Sequence, residues 1–126
     1  MNYKPKKNTG IKRVWAALFH SIDGLRFAIS NEVAFQQEVF VAVVAIIVLF
    51  FLPLSLVYKG LLLLATLIIL VVELLNSSIE NVVNLISPEY HILAKRAKDV
   101  GSAAVLVSIV VAVILWGGAI FTIFFP

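Results

Sequence analysis

The chain is 126 residues long, 62% hydrophobic against 13% charged, with a mean hydropathy of +1.07, which is too apolar for a soluble domain of this size. The absence of cysteine excludes a disulfide framework, a thiolate metal site and a cysteine nucleophile. A formal net charge of only +3, with no aromatic-interleaved basic stripe and no zinc-ligand spacing, gives no reason to expect nucleic acid as a partner. We therefore expect one all-α membrane domain over residues 1–126.

The first element is "IKRVWAALFHSIDGLRFAIS", in which Ile11, Val14, Trp15, Leu18, Phe19, Ile22, Leu25 and Ile29 recur at helical spacing as one apolar stripe. Lys12, Arg13, His20 and Asp23 take the other side. A chain without a soluble core leaves such a helix, at about residues 10–30, lying in the membrane interface, with Arg26 snorkelling toward headgroups from the edge of the stripe. Three stretches then match the ~20 helical residues that cross a bilayer core, at about 32–53, 58–86 and 100–125. A cleavable signal peptide is not expected, because the first strongly apolar run begins near Val39 and no small-residue cleavage site follows it.

Lysine and arginine placement sets the expected orientation. Lys4, Lys6, Lys7, Lys12, Arg13 and Arg26 precede the first span, and Lys95, Arg96 and Lys98 lie between the second and third. Only Lys59 falls on the other side. This predicts a cytoplasmic N-terminus and a cytoplasmic "SPEYHILAKRAKD" loop, with the turn near residues 53–60 and the C-terminus outside. Pro88 is expected to end the second spanning helix or to follow it closely.

The second span carries the unusual feature. After "LLLLATLIILVV" the helix continues as "VELLNSSIENVV", and at about 100° per residue Glu73, Asn76, Ser77, Glu80 and Asn84 share roughly a quarter of its circumference. Glu73 and Glu80 are about 10 Å apart along the axis, so they do not share one proton and can hold separate tasks. An ionisable group inside a span is costly unless paired or facing water, which makes a functional site the default reading. The amides and the serine also suit plain helix-to-helix hydrogen bonding. Glu32 and Glu38 in "NEVAFQQE" and Asp99 in "AKRAKDVGSAAV" approach the same membrane level. Converging oxygen ligands suit a hard cation such as Mg²⁺. Lys95, Arg96 and Lys98 can receive phosphates or simply set topology and meet headgroups.

The segments "NEVAFQQE", "VELLNSSIENVV" and "SPEYHILAKRAKDVGSAAV" resemble, in order and spacing, the signatures of the small integral-membrane diacylglycerol kinases of bacteria, from about Thr9 to the third span. The resemblance implies a homotrimer in the inner membrane, with a surface helix and three spanning helices per chain and active sites shared between subunits. It implies transfer of the ATP γ-phosphoryl group to diacylglycerol, giving phosphatidic acid. Carried onto matching positions, it makes Glu73 the general base, Glu32 and Glu80 magnesium ligands that also meet the nucleotide, and Asn76 a positioning group against the substrate. Lys98 and Asp99 match the nucleotide region, with Asp99 also near the lipid substrate. Arg13 in "TGIKR" matches an arginine near both substrates, and Glu38 and Gln37 match supporting polar positions. His20 and Asp23 depart from the aromatic and basic residues expected there, and His20 is read as an interfacial residue.

The residues agree with such chemistry, since phosphoryl transfer mainly requires positioning, charge neutralisation and a proton acceptor. No G-x-x-x-x-G-K-[ST] motif is present, so a P-loop is excluded. Trp15, Trp116 and Tyr58 read as interfacial or packing aromatics, and Tyr90 and His91 as exposed loop residues. Two other readings compete. A relative with the same core phosphorylates undecaprenol, and "SPEYHILAK" leans that way. A small ion or proton channel would also use an intramembrane glutamate stripe, but it needs polar residues across the whole span, and residues 61–72 offer only Thr66.

Overall fold

A computed structural model describes residues 5–126 and consists, among them, of four helices and no strand. The helices are α1 (Ile11–Asn31), α2 (Val33–Phe51), α3 (Leu56–Ile86) and α4 (Ile92–Phe124). The last three are each long and apolar enough to cross a membrane. Lys4, counted above among the basic residues that set orientation, lies outside the described residues.

Helix α3 is the centre of the packing, with α4 against it along most of its length and α2 on another side. The seam residues recur at helical spacings of three, four and seven: Phe35, Ala42 and Leu49 on α2, Leu62, Ala65, Thr66, Glu73, Asn76 and Ser77 on α3, and Gly101, Ser108, Ala112 and Ala119 on α4 are buried. Most are small. Lipid tails are as apolar as leucine, so helices in a bilayer associate through close backbone approach and dispersion, which small side chains permit. At the end of the bundle nearest Pro53, Leu49, Leu62 and Ala119 form a buried apolar cluster, with Leu52, Leu54 and Trp116 packed on it.

The total accessible surface is 9971 Å², against roughly 6,700 Å² expected for a soluble monomer of this mass. Large apolar side chains contribute to the excess. Phe40, Phe50, Phe51, Leu85 and Phe121 stand exposed on the spans, as do Ile11, Val14, Trp15, Leu18, Phe19, Leu25 and Ile29 of the α1 stripe, with Ile22 half-covered.

Each helix junction has a local cause. Glu32 is extended (φ −103°, ψ 105°) and separates α1 from α2. The last carbonyls of α1 are not left bare there: Gln36 Nε2 donates to Ile29 O at 2.8 Å and Asn31 Nδ2 to Phe27 O at 2.9 Å. Ser55 caps α3 by accepting from Tyr58 N at 3.3 Å, and Lys59 Nζ donates to Phe50 O at 3.4 Å, closing the end of α2. Pro88 follows the end of α3 by two residues, as the missing donor requires.

One expectation needs correction. The segment read as a thirteen-residue loop after α3 is a turn over residues 87–91 only, and Ile92–Asp99 is already helical, so α4 starts well before residue 100. His91 supplies the cap, its Nδ1 accepting from Leu93 N at 3.1 Å. "LAKRAKD" is then built of good helix formers, with Lys95 and Asp99 paired one turn apart at 2.6 Å.

Candidate active site

The polar stripe of α3 becomes progressively more accessible along the helix. Glu73 is 5% exposed and Asn76 and Ser77 are each 8% exposed. Glu80 is half-buried and Asn84 is exposed. The helical period sets this gradient: one face points at α2 and α4 while the helix runs out toward the Pro88 turn. Glu73 therefore sits in the packed interior with Glu80 two turns nearer solvent.

Other carboxylates converge on Glu73. Glu32 and Glu80 are near enough for their charges to act on it, and Glu73 acts likewise on Glu38. The extended backbone at Glu32 turns its side chain into the groove between α1 and α3, which Ala28, Leu74, Ser77 and Asn81 also line. Glu38 is half-buried on α2, and its Oε2 is buried with no hydrogen-bond partner among the described residues. The ion pairs among those residues are Asp23–Arg26 and Lys95–Asp99. Among the described residues no basic side chain pairs with any of the four glutamates. Crowded, uncompensated carboxylates favour a bound cation. The described residues of the single chain bring together no group of three or more acidic or histidine side chains able to hold a metal ion. Mg²⁺ commonly takes one or two protein carboxylates and completes its shell with water and substrate phosphate, a requirement that Glu32 and Glu80 fit.

The start of α4 brings the basic residues to the same end of the bundle. Lys98 faces α3, where its Nζ donates to Asn84 Oδ1 at 3.1 Å. Asp99, one residue on, points about 100° away and pairs with Lys95. A cleft of about 310 Å³ lies over these residues, lined also by Ser87, Tyr90 and His91. Two candidates are not drawn into the glutamate cluster. Arg13 lies exposed in a shallow groove made only of residues 7–20, including Lys7 and His20. Gln37 is exposed at the mouth of an apolar groove of about 490 Å³ between α2, α3 and α4.

Two contributors had no role of their own in the sequence reading. Asn84 was one more amide on the stripe, and only the fold shows that it holds Lys98. Gly101 is the one glycine of six whose missing side chain accommodates another residue: a Cβ there would overlap Asn76 Oδ1 and stand 3.4 Å from its Cγ. The glycine inside "KDVGSAAV" was the available signal, since an interior helix glycine is unfavourable without a packing reason.

Comparison with known proteins gives matches over most of the chain. The family model for prokaryotic diacylglycerol kinase matches residues 19–121. The diacylglycerol kinase of Escherichia coli strain K12 is 45% identical over 108 residues, covering 86% of this chain and 88% of its own. That of Helicobacter pylori strain J99 is 40% identical over 121 residues, covering 96% and 94%. That of Pseudomonas aeruginosa is 43% identical over 111 residues, covering 88% and 90%.

Proposed function

The chain belongs to the prokaryotic diacylglycerol kinase family, and from that premise we propose that its α3 stripe transfers the γ-phosphoryl group of ATP to the hydroxyl of diacylglycerol. The enzyme is a lipid kinase with a diacylglycerol substrate, and the undecaprenol and channel readings are not favoured. The channel also fails on local grounds. Thr66, the one polar residue between positions 61 and 72, donates to Leu62 O at 2.7 Å and accepts from Trp116 Nε1 at 3.1 Å, so its hydroxyl is occupied and offers no polar path onward from Glu73.

In the reaction the diacylglycerol oxygen bonds to the γ-phosphorus, the bond to the β-phosphate oxygen breaks, and ADP leaves. The hydroxyl proton goes to a carboxylate oxygen of Glu73. A base within a packed helix seam excludes bulk water, so the lipid alcohol rather than water is the acceptor. Asn76, one turn on, orients the acceptor or a phosphate oxygen by hydrogen bonding. Glu32 and Glu80 would hold Mg²⁺, which when bound neutralises charge on the transferring phosphate. Lys98, held by Asn84, presents its ammonium to the nucleotide phosphates. Asp99 borders the same cleft and contributes to both substrate regions, and Glu38 and Gln37 support the carboxylates from α2.

We assign the protein to the bacterial inner membrane with the N-terminus and the Pro88 turn in the cytoplasm. The nine-to-one bias of basic residues supports this. The exposed stripe of α1 is assigned to the membrane interface, where Arg13 meets phosphates. The surplus apolar surface of the spans supports assembly into a homotrimer whose neighbouring subunits, with lipid, cover it and complete each site.

The observation that carries this reading is Glu73, a nearly buried carboxylate without a cation partner among the described residues, inside a membrane helix. The test is Glu73→Gln in the purified full chain. Phosphatidic acid formation should fall while the oligomer and its helix content stay unchanged. A Gln variant that still phosphorylates diacylglycerol at the parent rate removes Glu73 from the role of base.

A further inference from the structure

We propose that Gly101 is a positioning residue for phosphoryl transfer, setting the direction in which Asn76 presents its amide N–H groups to the glutamate stripe; the inference rests on the active-site reading of α3. Gly10, Gly24, Gly60, Gly117 and Gly118 have open space where a Cβ would be. Gly101 is buried, and its Cβ would overlap Asn76 Oδ1. The absent side chain is occupied by a functional group of the neighbouring helix.

The two ends of the Asn76 amide have different surroundings. Its Oδ1 is buried against α4 with no hydrogen-bond partner among the described residues. The glycine Cα hydrogens offer that oxygen weak C–H···O contacts. A reversed amide would press two N–H donors against the same surface with nothing to accept them, at greater cost. With Oδ1 turned to α4, Nδ2 diverges from it toward the face that carries Glu73 three residues before and Glu80 four residues after. That leaves its two donors to reach a carboxylate or a substrate oxygen on that face. Ile79 Cδ1, 3.9 Å from the same Cβ position, closes the other side of the notch. A methyl at 101 displaces the Asn76 carbonyl, and the amide rotates or α4 shifts away from the stripe.

The test compares Gly101→Ala, Asn76→Ala and the double variant as full chains in the same bilayer, measuring kcat, KM for ATP and for diacylglycerol, and thermal unfolding. Gly101→Ala should lower kcat about 10- to 100-fold with both KM values nearly unchanged. The double variant should be no slower than Asn76→Ala alone, because Gly101 acts through Asn76. Parent kcat in Gly101→Ala beside an impaired Asn76→Ala overturns this inference and leaves the active-site reading standing. Multiplying losses in the double variant also overturn it, since they describe a packing defect independent of Asn76. Parent kcat in Asn76→Ala removes the role given to Asn76 and this inference with it. If Gly101→Ala does not fold, the double variant, in which the overlap is relieved, is compared with Asn76→Ala: equal kcat supports the proposal and a slower double variant defeats it.

Discussion

Helices α3 and α4 lie against each other over most of their length, but their two halves treat buried polar groups in opposite ways. In the half nearer Pro53, Trp116 Nε1 donates to Thr66 Oγ1, and Thr66 donates onward to Leu62 O, so every polar atom in that chain is matched. In the half nearer Pro88, Asn76 Oδ1 and, on the adjoining α2, Glu38 Oε2 are buried without hydrogen-bond partners among the described residues, and four glutamates crowd together. A satisfied polar pair holds helices together and then has nothing left to offer a ligand. An unsatisfied one destabilises the resting protein and retains its bonding capacity for substrate, metal or proton. The difference separates a stabilising end of the bundle from the end proposed to be reactive, and substitutions at the two ends should therefore fail in different assays.

The largest effect is expected from Glu73→Gln, which should lower kcat by about 10²- to 10⁴-fold, the range supplied by a positioned base, with little loss of unfolding temperature. A Gln variant that unfolds far more easily would erase the distinction between the halves. Next come Glu32→Gln and Glu80→Gln. Each should weaken Mg²⁺ binding at least about tenfold, read as a higher metal concentration for half-maximal activity and as weaker metal-dependent protection of the purified protein from unfolding. Unchanged metal dependence in both variants would remove these residues as ligands.

A smaller effect separates Lys98 from its holder. Lys98→Ala should raise KM for ATP by about tenfold or more, as loss of a charge-assisted contact does, while Asn84→Ala should raise it only a few-fold because the ammonium remains. Equal effects would mean that the bond between the two, rather than the charge, is what matters. In the opposite half, Thr66→Val should cost roughly 0.6 kcal/mol of stability, the typical worth of a side-chain hydrogen bond between membrane helices, with kcat unaffected. Smallest of all, Lys95→Gln removes an exposed pair and should change stability by no more than about 0.5 kcal/mol; a large loss of activity there would mean that Lys95 itself reaches substrate.

The polar stripe was legible before any fold was known, because five residues at 73, 76, 77, 80 and 84 share a face by helical period alone. The Pro88 stop and the three spans were equally legible from proline chemistry and hydropathy. The start of α4 was not. "ILAKRAKD" is polar and was assigned to a loop by contrast with the span after it, whereas lysine, arginine and alanine form helix readily outside a bilayer. Trp116 read as a generic aromatic because its partner Thr66 is fifty residues away. Arg13 matched a motif, yet within one chain it lies in a groove of its own residues.

The sequence by itself determined that this is a membrane protein of a few long helices with acidic groups on one helix face, because composition and periodicity act over a single turn or a single span. Tertiary structure decided which of those groups are free and which are occupied. That choice depends on the register of α4 against α3, which sets Gly101 opposite Asn76, Lys98 opposite Asn84 and Trp116 opposite Thr66. A helical period places residues on a face, and only close packing of two faces fixes which atom each of them meets.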